Sequence, residues 1–292
     1  MMRIILPLIA ALLLLDVCLI SSSALATDII TVNAKKSDND TRFEYPMKLL
    51  RLALERTKKQ YGDYKIRRAA TGMTRDRALR ELATGNLTLF AGATRREWEE
   101  AAIPIRIPLR KGILGYRLFL IRSDSQSQFS KITNIDQLKK LHLGAGSQWS
   151  ISLALKRLGY VVYGGTKYEP LFQMLSEKRF DYFPRGINEI FVEFETRKNT
   201  FSNLKIEETI ALYLPLPTYF FITPTRPDLA SRIKQGLFSI LEDGTMDRIF
   251  FEYHSDDIKK ARLKDRTIFK LPNLNLSDET PFHRTDFWYH PE

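Results

Sequence analysis

The chain has 292 residues, 44% hydrophobic and 27% charged, with a formal charge of +11. At ~150 residues per domain this is one large or two medium domains of ordinary globular composition, not a disordered or fibrous chain. Its single cysteine, Cys18, lies in the amino-terminal apolar segment, so a processed chain has no disulfide scaffold, thiolate zinc centre or cysteine nucleophile.

Residues 1–26 read as a secretory signal. Arg3 and the free amine supply positive charge, Ile4 to Ile20 an apolar run, and Ala24-Leu25-Ala26 a small-x-small cleavage site. An uncleaved anchor is the competing reading, but Pro7 and Asp16 interrupt the run. Asp16 and Val17 stand where a lipoprotein signal has small residues, which argues against a lipid on Cys18. Cleavage is expected after Ala26, giving a soluble exported protein, periplasmic in a bacterium. The segment carries one base, Arg3, and one acid, Asp16, so its removal leaves the charge at +11.

Strands and helices then alternate. Asp28 to Ala34 is a β-branched run, and Pro46, Met47, Leu50 and Leu54 open a helix that ends at Tyr61-Gly62. A second helix starts near Thr74 and stops at Gly85, and Leu87 to Ala91 follows as a buried strand. The pattern restarts with helix Ile135–Leu141, strand His142–Gly146 and a helix capped by Ser147 that runs through Leu158. Strand Val161–Tyr163, helix Glu169–Lys178, strand Phe180–Phe183 and helix Asn188–Arg197 complete the second unit. This βα alternation predicts two mainly parallel sheets flanked by helices. Leu114–Ile121 and Thr218–Ile222 are expected to run side by side as crossing strands. The units are then 27–112 with 222–292, and 113–221. Helices Asp228–Leu241 and Thr245–Tyr253 return to the first unit. An extension from about 256, with Phe282, Phe287, Trp288 and Tyr289, reads as a tail strapped over it.

Several chemistries lack their residues. His142, His254, His283 and His290 have no metal-binding spacing, and Asp38 and Asp40 are too few oxygens for a calcium loop. No phosphate loop is present, and the basic residues are scattered, so neither cofactor nor nucleic acid is expected. Two segments suit a small anion. In Thr94-Arg95-Arg96-Glu97 a guanidinium fork can grip a carboxylate, although a solvated Arg/Glu cluster opening a helix explains the same letters. In Gly144-Ala-Gly146-Ser147-Gln148-Trp149 a strand ends in glycine and opens a helix, leaving backbone N–H groups at a positive dipole end. A tight turn with a serine cap accounts for it equally. It is not Gly-x-Ser-x-Gly, so no hydrolase elbow is supported.

The order and spacing of short motifs resemble a known family. Leu82-Ala-Thr-Gly-Asn-Leu-Thr-Leu89, Thr94-Arg-Arg-Glu97 followed by Ile103-Pro-Ile-Arg-Ile-Pro108, Leu138 to Ser147, Leu175-Ser-Glu-Lys-Arg-Phe-Asp181 and Leu229 to Thr245 are similar to motifs of the bacterial periplasmic solute-binding proteins of the polar amino acid type. The resemblance spans about residues 28–255. It implies an α/β, two-lobed, type 2 periplasmic-binding fold. It also implies a monomer that closes over a small polar, carboxylate-bearing, amino-acid-like ligand for ABC-type uptake. The larger partner would be an ABC permease or a membrane sensor. The family's carboxylate-binding arginine falls at Glu97, so the role moves to Arg96 or Arg95 beside Thr94. Gly146, Ser147, Gln148 and Trp149 would supply the opposing contacts. The aspartate that grips an α-amino group falls at Gly186, leaving Asn188 or Glu189 for the task, while Arg185 favours an acidic ligand. The fold also serves cyclodehydratase-like enzymes, for which Glu97 or Glu189 would be the acid/base.

Overall fold

The computed structural model describes residues 27–34 and 43–291. The signal-like segment with Cys18, and the pair Asp38 and Asp40, lie outside the described residues. Among the described residues no helix is long and apolar enough to cross a membrane.

The chain begins β1 (Asp28–Val32), α1 (Glu44–Tyr61), β2 (Tyr64–Arg68), α2 (Arg75–Ala83), β3 (Leu89–Ala93), α3 (Arg96–Ala101) and β4 (Ile103–Ile105). After residues 106–115 come β5 (Tyr116–Arg122), α4 (Gln126–Phe129), α5 (Ile135–Lys139), β6 (Leu143–Gly146), α6 (Ser150–Arg157) and β7 (Val162–Gly165). There follow α7 (Pro170–Ser176), β8 (Tyr182–Gly186), α8 (Ile187–Glu195), β9 (Leu204–Ile206) and β10 (Ile210–Tyr213). The chain then returns through 214–217 to β11 (Thr218–Ile222), α9 (Pro227–Glu242), α10 (Thr245–Ala261) and β12 (Thr267–Lys270).

Two sheets form two lobes. The first has the order β2-β1-β3-β11-β4; the second runs β12-β10-β5-β8-β6-β7, with β9 also on β5. Both are mainly parallel, as expected, with one reversed strand in each, β11 in the first and β5 in the second. The βα repeats pair in parallel, but β11 is antiparallel to β3 and β4, and β5 is antiparallel to β8, β9 and β10. Strands that enter a sheet from the other lobe come in reversed.

In the first lobe, α1 shows how the letters make the packing. Pro46 sits in its first turn, where a helix leaves N–H groups unpaired, and Gly62 closes it at φ 85°. Leu49, Leu50 and Leu54 are fully buried, each worth ~1.5–3 kcal/mol. They face α9, whose Gly236 leaves room for the Ala53 carbonyl: a Cβ there would meet that oxygen at 2.1 Å. Arg232 of α9 is fully buried and pairs with Asp28 of β1 at 2.7 Å, tying helix to sheet.

The expected crossing strands are corrected. The segment 114–121 is mostly β5, in the second sheet, while 218–222 is β11, in the first, so the two do not pair. Both strands are wholly buried and apolar apart from Arg117 and Arg122 in β5 and Thr218 in β11, which suits sheet interiors covered on both faces. The crossings are instead the short links before them. Leu109 N–H bonds Thr218 C=O at 2.9 Å and Leu214 N–H bonds Gly115 C=O at 3.1 Å. A Cβ on Gly115 would meet the Leu214 carbonyl oxygen at 2.6 Å, so glycine allows this approach.

The tail is corrected too. β12 pairs in parallel with β10 at the edge of the second sheet. The chain then passes between the lobes: Arg157 of α6 donates to Leu274 C=O at 2.8 Å, and Arg96 N–H to Asn275 C=O at 2.8 Å. It ends on the first crossing, where Tyr289 N–H bonds Lys111 C=O at 2.7 Å and Trp288 lies against Gly112. The tail therefore touches both lobes and a crossing, not the first lobe alone.

Candidate functional site

The cleft between the sheets holds a cavity of about 210 Å³, the room of about seven waters at ~30 Å³ each. Phe90 and Met73 of the first lobe and Trp149 and Ile151 of the second give it apolar walls. Four arginines and one glutamate are among its lining residues: Arg75, Arg110, Arg117, Arg185 and Glu189.

Arg75 is the first residue of α2 and comes from the first lobe. Its guanidinium lies 4.9 Å from the Trp98 ring, donates to Ala93 C=O at 2.6 Å, and reaches Ser150 Oγ of the second lobe at 3.4 Å. Its Nε is buried without a hydrogen-bond partner among the described residues. Burial, with Arg95 nearby, pushes its pKa down to about 10, so it stays a cation at neutral pH.

Arg117 lies on β5 opposite Gly186 of β8 and is buried. Its Nη1 is 3.4 Å from Glu189, and its Nε also lacks a partner among the described residues. Burial pushes its pKa down to about 10, with Glu189 opposing the shift and Arg185 adding to it. Arg185 differs. Glu193 of α8 grips it with two bonds of 2.6 Å, Glu189 lies at 3.1 Å, and the Trp149 ring stacks at 4.6 Å. Burial opposes its charge, but the two carboxylates outweigh it and push the pKa up. Glu189 is thus shared by both guanidiniums and also accepts from Gly186 N–H at 3.1 Å, at the start of its own helix. Asn188 Oδ1 and Thr218 Oγ1 are buried without a hydrogen-bond partner among the described residues, and both residues line the cavity.

Trp149, Arg185, Asn188 and Glu189 from the sequence reading line this cavity. Gly146 lies beneath it: a Cβ there would meet the Trp149 indole at 2.3 Å, so glycine lets that ring fold back over the strand end. Ser147 is turned away, its N–H and Oγ both bonding Gly165 C=O; α6 starts at Ser150, so Ser147 does not cap it. Gln148 is exposed and absent from the lining.

The Thr94-Arg95-Arg96-Glu97 clamp is corrected. None of the four lines the cavity. Thr94 is buried, its hydroxyl on Glu99 at 2.6 Å and its N–H on Pro217 C=O. Arg95 pairs with Asp76 and Glu97, and Arg96, half exposed, holds the tail through Leu276 C=O at 3.2 Å. The segment anchors a crossing and the tail. Arg75 and Arg117 occupy the cleft instead. Arg117 left a signal, a cation inside the otherwise apolar run Tyr116 to Ile121; Arg75 left none beyond its place at a helix start.

No protein-family model matches the chain, and no curated protein matches it. Solved structures do. It is similar to an arginine 3rd transport system periplasmic binding protein from Legionella pneumophila, at 15% identity and a TM-score of 0.58, over 78% of this chain and 100% of that one. It is also similar to a probable amino-acid ABC transporter extracellular-binding protein from Bacillus subtilis, at 17% identity and a TM-score of 0.57, over 80% and 100%. A histidine kinase sensor domain with similarity to periplasmic binding proteins matches at 13% identity and a TM-score of 0.53, over 79% and 97%. The chain has the two-lobed periplasmic-binding fold. In that fold the cavity described above lies in the cleft between the lobes, beside the two crossings.

Proposed function

We propose that this chain is an exported solute-binding protein that closes over a small carboxylate-bearing ligand and delivers it to an ABC permease. The observation that carries the reading is the pair Arg75 and Arg117, one from each lobe, facing one cavity with a buried Nε left over on each. A buried guanidinium N–H left without an acceptor is costly, and a carboxylate entering the cleft offsets that cost. A ligand that touches both lobes favours the closed arrangement, and the short crossings are where the bend falls. The export signal supports a periplasmic location; terminal sequencing of the secreted protein should start at Thr27.

Signalling is the second reading, because a histidine kinase sensor domain shares the fold. A cyclodehydratase-like activity has less support. Glu97 is exposed outside the cavity and Glu189 is held by two guanidiniums and a backbone N–H, so among the described lining residues no carboxylate is poised to move a proton.

A thermal-shift screen of amino acids, organic acids and wall fragments, followed by calorimetry, tests the proposal. Losing one charge-assisted contact costs ~1.5–3 kcal/mol, or about ten- to a hundredfold in Kd at ~1.4 kcal/mol per decade. Arg75→Ala should weaken the ligand found by that factor, while Arg77→Ala, at an exposed residue outside the cavity, leaves its Kd unchanged. A panel in which no carboxylate raises the melting temperature overturns the reading. An Arg75 variant that binds normally removes its carrying observation.

A further inference from the structure

Resting on the cleft reading above, we infer that the ligand is a 2-hydroxy acid: a carboxylate flanked by a neutral donor, where an amino acid has an ammonium. Recognition of an ammonium in a buried site needs an acceptor whose charge is still available. The cavity's lining residues include one carboxylate, Glu189, whose charge is already shared by two guanidiniums: its Oε2 meets Arg117 at 3.4 Å and Arg185 at 3.1 Å and accepts from Gly186 N–H at 3.1 Å. The second acid nearby, Glu193, is not in the lining and is gripped by Arg185 through two bonds of 2.6 Å. An ammonium would therefore enter a space bordered by four guanidiniums, with like charge around it in a low-dielectric setting.

The acceptors that remain are neutral. Asn188 Oδ1 and Thr218 Oγ1 are buried, line the cavity and have no hydrogen-bond partner among the described residues. A buried acceptor left unmade costs free energy, and a hydroxyl satisfies it without adding charge. A 2-oxo acid carries no donor for Asn188 Oδ1. The hydroxyl suits both demands at once, and the carboxylate beside it goes to Arg75 and Arg117. A cavity of about 210 Å³ admits such an acid with a short side chain.

The experiment compares isosteric sets by calorimetry on the mature protein: 2-hydroxyglutarate, glutamate and 2-oxoglutarate, and 2-hydroxyisocaproate with leucine. The hydroxy acid should bind at least tenfold more tightly than its amino counterpart, about 1.4 kcal/mol, and more tightly than the oxo acid. Asn188→Asp places a carboxylate where a neutral acceptor stood, so the preference between hydroxy and amino acid should reverse. Because that readout is a ratio within one variant, a loss of fold cannot imitate it. An amino acid bound as tightly as its hydroxy counterpart by the unaltered protein overturns the inference and leaves the solute-binding reading standing. A ratio unchanged in the Asn188 variant also overturns it. If neither hydroxy acid binds, the inference falls; if the wide carboxylate panel is silent as well, the cleft reading falls with it.

Discussion

Arg117 and Arg185 sit on neighbouring strands, with Leu118 opposite Arg185 and Arg117 opposite Gly186, yet different carboxylates balance them. Arg185 belongs to Glu193, eight residues on along β8 and α8, and Arg117 reaches Glu189 at a long 3.4 Å. The first pair is buried on both sides, with side-chain exposures of 3% and 9%. Removing one member of such a pair leaves a desolvated charge and typically costs ~3–5 kcal/mol. Glu193→Gln keeps the shape and one acceptor, so a loss of about 3 kcal/mol in denaturant unfolding is expected, at the low end of that range. A loss below about 1 kcal/mol, the scale of an exposed pair, would mean that water reaches Arg185. Arg185 was legible as a cation suited to an acidic ligand, but its two-bond grip by Glu193 was not. The helical spacing that brings Glu193 back over the strand depends on α8 starting at Ile187.

At the scale of elements, α10 brings His254 against α1. Its ring is 4.8 Å from Tyr45 and 5.4 Å from Phe250, and neither ring nitrogen has a hydrogen-bond partner among the described residues. Burial, and secondarily the charge of Arg110, pushes its pKa down to about 3. An unfolded histidine takes its proton near ~6.5. Between those values the unfolded chain binds a proton that the folded chain refuses, so stability falls as pH drops from about 6.5 toward about 3, by up to ~1.4 kcal/mol per pH unit. His254→Phe should flatten the melting temperature across that window, compared with the unaltered protein; an equal slope in both would place the acid sensitivity elsewhere. Helices with a strong apolar stripe, such as α1 and α9, were legible from spacing. β2 was not: Tyr64-Lys-Ile-Arg-Arg68 is an edge strand with charged residues outward, which lacks an apolar run and is how a sheet edge avoids pairing with other chains.

Across the whole molecule, the tail joins the two lobes that the crossings connect. Arg157 holds Leu274 C=O from the second lobe while Arg96 N–H and Arg96 Nη2 hold Asn275 and Leu276 from the first. The lobes also touch within the cleft, where Ser150 Oγ of α6 donates to Ala93 C=O at 3.3 Å. On the proposed closure, opening must stretch or release these contacts, and the tail then favours the closed arrangement before ligand arrives. Arg157→Ala should then raise the ligand-free radius of gyration in small-angle scattering. It should also weaken apparent affinity severalfold, because a smaller share of molecules is competent to bind. Identical scattering curves for variant and parent would show that the tail follows the lobes without biasing them.

The sequence by itself determined the alternation of strands and helices, the division into two α/β units and the aromatic, basic character of residues such as Trp149 and Arg185. These follow from local spacing and composition, which act over a few residues. Tertiary structure decided which sheet each crossing segment joins, where the tail goes and which arginines line the cleft. Arg96 and Arg75 stand in similar local settings, each the first residue of a helix. One faces the cleft and the other holds the tail because of what lies across from them, Ser150 of the second lobe in one case and Leu276 in the other. Contacts made at separations of 75 and 180 residues set those roles, and no local pattern encodes them.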